Sequence, residues 1–184
     1  MTGDATPKLT TSAAFLDWLE RQDIAHETRT HPALHTVEEA QTHRASWPEA
    51  ARTGAFCKNL FLKDKKGRLW LIVTLEEREL KLNSLAKPLG SARLSFGNAE
   101  LMWEVLSVRP GSVTPFALVN DHEHRVTVVL DAPMLAHERL NYHPLENTAT
   151  TALSRDDFLA FLTITGHRPM IVDLVAAAGQ SVSR

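Results

Sequence analysis

The alternation of apolar and polar positions is clearest over Phe56-Cys57-Lys58-Asn59-Leu60-Phe61-Leu62-Lys63-Asp64, which predicts a half-buried strand. Lys65-Lys66-Gly67 supplies a turn, and the apolar run Leu69–Leu75 follows it, so the two segments predict a hairpin. In this alternation Lys58 shares a face with Leu60 and Leu62, while Cys57 points to the opposite face. A lysine on such a face must extend to solvent, pair with an acid, or meet an anionic or ester-bearing ligand.

Helical spacing surrounds this hairpin. Thr11 or Ser12 can cap a helix whose apolar face is Phe15, Leu16, Trp18 and Leu19. Ile24 to Thr30 predicts a short strand that His31-Pro32 breaks, and Thr36-Val37-Glu38-Glu39 has the spacing of a capping box opening a second helix. Leu80, Leu82, Leu85 and Ala86 predict a helix over 79–87, stopped by Pro88 and Gly90. A strand is expected over 93–96, and Asn98 can cap a helix over 99–106. Beyond the proline-bounded loop Arg109–Pro115, strands are expected over 116–119 and 125–130, then weaker ones over 140–143 and 148–152. Ser154 caps a helix burying Phe158, Leu159, Phe161 and Leu162, and a closing strand over 169–174 precedes a tail, 176–184, that is either helical or loose. Residues 1–10 are expected to be flexible, leaving one domain over 11–175. Strands and short helices mixed irregularly predict a mixed α/β fold, not a doubly wound repeat.

The 184 residues, 43% hydrophobic, suffice for one substantial core. With 20 basic and 22 acidic residues, the chain is not expected to coat nucleic acid along a broad basic face; RNA contact would be local. Cys57 is the only cysteine, which excludes an internal disulfide and a thiolate zinc site and suits a reducing, cytoplasmic setting. No apolar run reaches membrane-spanning length, and no phosphate-binding glycine loop of the Gly-x-Gly-x-x-Gly or Gly-x-x-x-x-Gly-Lys type occurs.

Few residues offer chemistry. Lys58 could hold a phosphate or an ester carbonyl oxygen and stabilise charge as water attacks. Asn59 is either an orienting amide or a strand-edge one. Gly111 allows close backbone approach in a loop that also carries Ser112 and Pro115, although nothing places an activating base beside Ser112. His143 can move protons near neutral pH or remain a solvated strand-end imidazole. His122-Glu123-His124 lacks helical ligand spacing and lies in a turn, so no metal is expected there. Lys63, Lys65, Lys66 and Arg68 cluster at the hairpin turn, where they either contact nucleic-acid phosphates or stay solvated.

Three segments, Lys58–Asp64, Gly111-Ser112-Val113-Thr114-Pro115 and His143-Pro144-Leu145-Glu146-Asn147-Thr148, occur in the order and spacing of the YbaK-related prolyl-tRNA editing family. The chain most resembles its free-standing branch that removes alanine mischarged onto tRNA(Pro), and the resemblance runs from about Thr11 to Leu174. It implies a partly barrel-like mixed sheet ringed by helices, with the pocket at one opening of the sheet. It also implies Lys58 and His143 as catalytic residues, and Asn59, Gly111, Ser112, Pro115 and His31 as substrate contacts, Arg29 and His31 lying at the rim. No cofactor or metal is implied. The implied partner is aminoacylated tRNA(Pro), with transient contact to prolyl-tRNA synthetase or an elongation factor, and no membrane.

The expected reaction is hydrolysis of the alanyl ester by water, helped by a vicinal ribose hydroxyl. A proline-sized synthetase pocket cannot exclude alanine, so a second, smaller site restores fidelity. Two alternatives remain open at this point: a non-catalytic nucleic-acid-binding module of the same fold, and a deacylase selecting cysteine or serine.

Overall fold

A computed structural model describes residues 6–179. The elements in chain order are α1 (Ser12–Arg21), β1 (Glu27–Thr30), α2 (Val37–Arg44), β2 (Ala55–Asp64), β3 (Leu69–Leu75), α3 (Leu82–Leu89), β4 (Leu94–Phe96), α4 (Ala99–Leu106), β5 (Val126–Asp131), β6 (Arg139–Tyr142), β7 (Ala149–Ser154), α5 (Arg155–Ile164), β8 (Met170–Val172) and α6 (Leu174–Gly179). Side-chain caps start four of the helices. Thr11, Asn98 and Ser154 each accept a backbone N–H at α1, α4 and α5, and Thr36 with Glu39 forms the complete capping box at α2.

Eight strands form one mixed sheet in the order β1-β7-β6-β2-β3-β5-β8, with β4 on β2 alone. The fold is thus mixed α/β with helices around a mixed sheet. β2 is the junction. Seven of its ten residues pair antiparallel with β3, from Cys57↔Leu75 to Lys63↔Leu69. Along its other edge, Ala55 and Phe56 pair in parallel with β6, and Leu62 to Asp64 pair with β4. Among the described residues, no strand pairs with the stretch between those two pairings on that edge.

Period-two alternation sorts β2 and β3 between two apolar layers. Phe61, Leu71 and Val73 enter the larger core with Phe15, Phe116, Phe158 and Phe161. Leu62, Trp70 and Ile72 enter a smaller one with Leu85, Leu89 and Leu174 from α3 and α6. Both faces of β3 are therefore covered, and all seven of its residues are buried.

The strand expected over 116–119 is instead a 3-10 helix, Pro115–Asn120, with all six residues buried. Pro115 sets the first φ, and Thr114 caps the turn by accepting from the Phe116 N–H at 3.3 Å. A short apolar run buried on every side carries no period that separates strand from helix. Near the N-terminus Leu9 exchanges two hydrogen bonds with the Asn120 side chain, both 2.7 Å, and packs on the core. The tail expected over 176–184 begins inside α6, and residues 180–184 lie outside the described ones, as do 1–5. Among the described residues no helix is long and apolar enough to cross a membrane.

Gly54 fixes the entry into β2. Its φ is +88°, and a Cβ there would sit 2.3 Å from the Arg139 carbonyl oxygen on β6. Backbone cannot retreat cheaply, so Gly54→Ala is expected to cost about 3 kcal/mol, from left-handed strain together with overpacking. A lower denaturant midpoint with an unchanged m-value would register this; an unchanged midpoint would contradict it.

Candidate functional site

A cavity of about 310 Å³ opens where the edge of β2 is unpaired. Its floor is Phe56 to Asn59 of β2; Asn141 and Tyr142 of β6 and the following His143 form one wall. The loop residues Gly111 and Val113 form another, and α2 with the segment before it covers the remaining side. Of the residues singled out from the sequence, His31, Lys58, Asn59, Gly111 and His143 all line this cavity.

Lys58 is half-buried, and its ammonium donates to the backbone carbonyl of Arg78. The residue that carries this carbonyl is held by a network centred on a buried carboxylate. The Arg78 guanidinium reaches Asp131 at 2.9 Å and Asp173 at 2.7 Å. Asp131, fully buried, also accepts from the Thr74 hydroxyl at 2.6 Å and the Leu174 N–H at 3.0 Å. A buried carboxylate with this many donors is fully satisfied. The network fixes the turn after β3, and the turn fixes one of the three ammonium donors of Lys58.

Asn59 donates its amide N–H to the Val113 carbonyl at 3.0 Å, which ties β2 to the Gly111–Thr114 loop across the unpaired edge. The same bond sets the orientation of the amide, so the Asn59 Oδ1 is the remaining acceptor. It is buried and has no hydrogen-bond partner among the described residues. An orphaned acceptor costs on the order of 1–3 kcal/mol, a cost that a ligand N–H or O–H would remove.

His143 sits at the end of β6 with its Nδ1 2.9 Å from the Ala149 carbonyl oxygen. A carbonyl only accepts, so Nδ1 carries the proton and the neutral ring keeps a lone pair on Nε2. Burial lowers the His143 pKa; the Ala149 carbonyl opposes this, while His31 and Arg44 reinforce it. His143 is therefore a neutral base at pH 7.

His31 is different. Its Nδ1 meets the Pro32 carbonyl oxygen at 2.8 Å and its Nε2 meets the Thr150 hydroxyl at 2.9 Å, so both ring nitrogens are occupied. Its ring lies about 6 Å from those of Trp47 and His143, making it a wall of the cavity. Gly111 has φ +88° and lines the cavity. Ser112 and Pro115 do not line it: both are buried, and Pro115 opens the 3-10 helix behind the loop. They shape the loop from the protein side.

Cys57 lines the cavity while packing on the larger core. Burial, reinforced by Glu76, Glu77 and Asp131, pushes its thiol up to about 12 despite the opposing Tyr142 hydroxyl. A thiol so protonated is not a nucleophile. The His122–His124 turn is remote in chemistry as well: His124 bonds the Thr165 carbonyl at 3.0 Å, and His167 pairs with Asp121 at 3.1 Å. Among the described residues no three His, Cys, Asp or Glu side chains converge on a metal position.

Several lining residues escaped the sequence reading. Asn141, buried, donates to the carbonyls of Thr53 at 3.1 Å and Ala55 at 3.0 Å, pinning β6 to the start of β2. Arg44 of α2 pairs with Glu76 and lies 3.9 Å from the Phe56 ring centre. Long-range polar pairs of this kind leave no local trace in a sequence. Only the capping box placed α2, and no residue of that helix is buried.

The family model described as an aminoacyl-tRNA editing domain matches residues 31–161. A curated cattle (Bos taurus) protein, prolyl-tRNA synthetase associated domain-containing protein 1, is 43% identical over 155 residues, covering 82% of this chain and 87% of its own. The prolyl-tRNA editing protein ProX of Acetoanaerobium sticklandii is 29% identical over 157 residues, covering 85% of this chain and 93% of its own. A crystal structure described as a candidate trans-editing enzyme for prolyl tRNA synthetase superposes with a TM-score of 0.65 at 20% identity, over 91% of this chain and 98% of that one. At that identity the last likeness shows the fold.

The lowered pKa of His143 has a measurable consequence. Ring-proton shifts followed through pH should give a midpoint below the ordinary value of about 6.5. Between that midpoint and about pH 6.5 the unfolded chain binds a proton that the folded chain refuses. The stability contributed by this group is therefore complete above about pH 6.5 and declines as pH falls through that window. His143→Gln should flatten the decline. A midpoint at or above 6.5 would contradict the assignment.

Proposed function

The chain belongs to the aminoacyl-tRNA editing domain family, and on that premise we propose that it is a free-standing deacylase that hydrolyses the ester of alanyl-tRNA(Pro). The observation that carries the reading is the cavity itself. It gathers a lysine ammonium, an unpartnered amide oxygen and an unprotonated imidazole nitrogen, and the thiol that lines it, Cys57, is held protonated. Such a set binds and polarises an ester and moves a proton, and water is then the attacking group.

In this reading the two free N–H groups of Lys58 hold oxygen atoms of the substrate, either a phosphate or the ester carbonyl. Asn59 Oδ1 accepts from the α-ammonium or a ribose hydroxyl, and the backbone at Gly111 admits the terminal adenosine closely. Water adds to the ester carbonyl carbon, and its proton passes to His143 Nε2 directly or by way of the vicinal ribose hydroxyl. The tetrahedral intermediate collapses with cleavage of the carbonyl carbon–ribose oxygen bond. The ribose oxygen regains the proton, releasing alanine and intact tRNA. ProX, by its name an editing protein for prolyl-tRNA, supports the tRNA(Pro) assignment, and the alanine preference follows from the branch that the three motifs resemble.

Two outcomes are expected. Lys58→Ala should fold and lose nearly all turnover, since removing a half-buried cation removes a desolvation cost along with a substrate contact. Single-turnover rates on one tRNA should favour the alanyl over the prolyl ester by about ten- to a hundredfold, the effect of roughly 1–3 kcal/mol of overpacking by the proline ring. Equal rates for the two esters, or normal turnover by folded Lys58→Ala, would defeat the proposal.

A further inference from the structure

The tip of the β2–β3 hairpin carries Lys63, Lys65 and Lys66, all exposed, and backbone pairing brings Arg93, also exposed, beside them. Lys63 lies opposite Ser95 on β4, and the Lys65 N–H donates to the Arg93 carbonyl at 3.1 Å. Among the described residues no carboxylate pairs with any of these four cations, whereas Arg44, Arg78 and Arg125 are each paired with an acid. The one acid of the corner, Asp64, is buried. It accepts from the backbone N–H groups of Lys66 at 2.9 Å, Arg68 at 3.0 Å and Ala92 at 3.3 Å, and from the Arg68 guanidinium at 2.8 Å. Burial alone would raise its pKa, but these hydrogen bonds outweigh burial and hold it down at about 2. Its one ionic partner is the Arg68 guanidinium, so the corner keeps four outward cations with no carboxylate paired to them. No acid occurs between Lys81 and Ala99 either. In a chain of net charge −2 this is a concentrated, uncompensated positive corner on a rigid scaffold. Phe96, 65% exposed, closes β4 beside it.

We propose that this corner docks the phosphate backbone of the RNA duplex that carries the substrate ester. The inference rests on the deacylase reading of the cavity and extends it to the body of the substrate. Lys58 lies in the first half of β2 and the hairpin tip beyond its far end, about 20 Å away at the rise of a strand. An aminoacylated nucleoside cannot touch both. An RNA with its duplex on the corner and its unpaired end in the cavity reaches both. Lysines that contact phosphates position without reading sequence, so the corner sets affinity and register while the cavity selects the amino acid.

The test uses the full chain and a fluorescent, uncharged RNA hairpin bearing the acceptor stem and unpaired 3′ end of tRNA(Pro). Replacing Lys63, Lys65 and Lys66 together by Ala should weaken binding about tenfold or more at moderate salt and make the salt dependence shallower by about one unit of log–log slope per lysine. The triple replacement by Arg should retain both properties. Alanyl-adenosine, which is too short to reach the corner, should be hydrolysed by the Ala variant at the wild-type rate, whereas the alanylated hairpin should show a raised KM with kcat unchanged. An Ala variant with wild-type RNA affinity and slope would overturn the proposal, as would a wild-type protein that binds anionic phospholipid vesicles and not the RNA. Failure of the deacylase reading looks different: alanyl-adenosine and the alanylated hairpin would both survive the wild-type protein, while the binding measurements still decide the role of the corner.

Discussion

The structure depends on one strand having an edge shared by two partners that do not meet. β6 takes the start of that edge, at Ala55 and Phe56, and β4 takes its end, from Leu62 to Asp64. A fully paired β2 would close the sheet and leave no room for a ligand. An open edge, however, exposes backbone groups that must be satisfied by something other than a neighbouring strand. Gly97 answers part of that requirement by donating its N–H to the Phe61 carbonyl at 3.0 Å, and the Asn59 side chain ties the loop after α4 across the gap by donating to the Val113 carbonyl. The cavity is the rest of the gap. Gly54 and Asn141 keep the gap at its present width, the first by letting β6 approach closely and the second by bonding the chain on the near side of β2.

The polar groups of the cavity are poised in different ways. Lys58 is steadied from behind by a carbonyl that the Asp131–Arg78–Asp173 network immobilises. His143 is steadied by a backbone carbonyl that dictates its tautomer. Asn59 Oδ1 is fixed but unsatisfied. A site whose donors and acceptors are already oriented need not reorganise as charge develops, which is the main source of electrostatic rate enhancement. His31, by contrast, has both ring nitrogens engaged by the Pro32 carbonyl and the Thr150 hydroxyl and presents its ring to the cavity.

The hairpin was legible because alternation over Phe56–Asp64 and the Lys65-Lys66-Gly67 turn are local signals, and the two apolar layers divide Phe61 from Leu62 as that alternation requires. Lys58, Asn59 and His143 stood out as polar groups beside apolar positions, Gly111 stood out for the close backbone approach it allows in a proline-bounded loop, and the motif resemblance set them in one place. Three features were not legible. The Pro115–Asn120 turn is apolar on all sides and so carries no period. The Asp131 network joins residues from three distant parts of the chain, with Thr74, Arg78 and Leu174 around one carboxylate. Asn141 and Arg44 look like ordinary surface residues until the sheet brings them to the cavity.

The central claim is that the cavity turns over an ester instead of only holding an RNA end. The most direct measurement is the number of ester bonds cleaved per protein molecule when alanyl-tRNA(Pro) is supplied in large excess. A deacylase clears the excess, releasing free alanine far beyond one equivalent. Protection of one equivalent of aminoacyl-tRNA from spontaneous hydrolysis, with the remainder decaying at the rate seen without protein, would contradict the account and leave a binding module in its place.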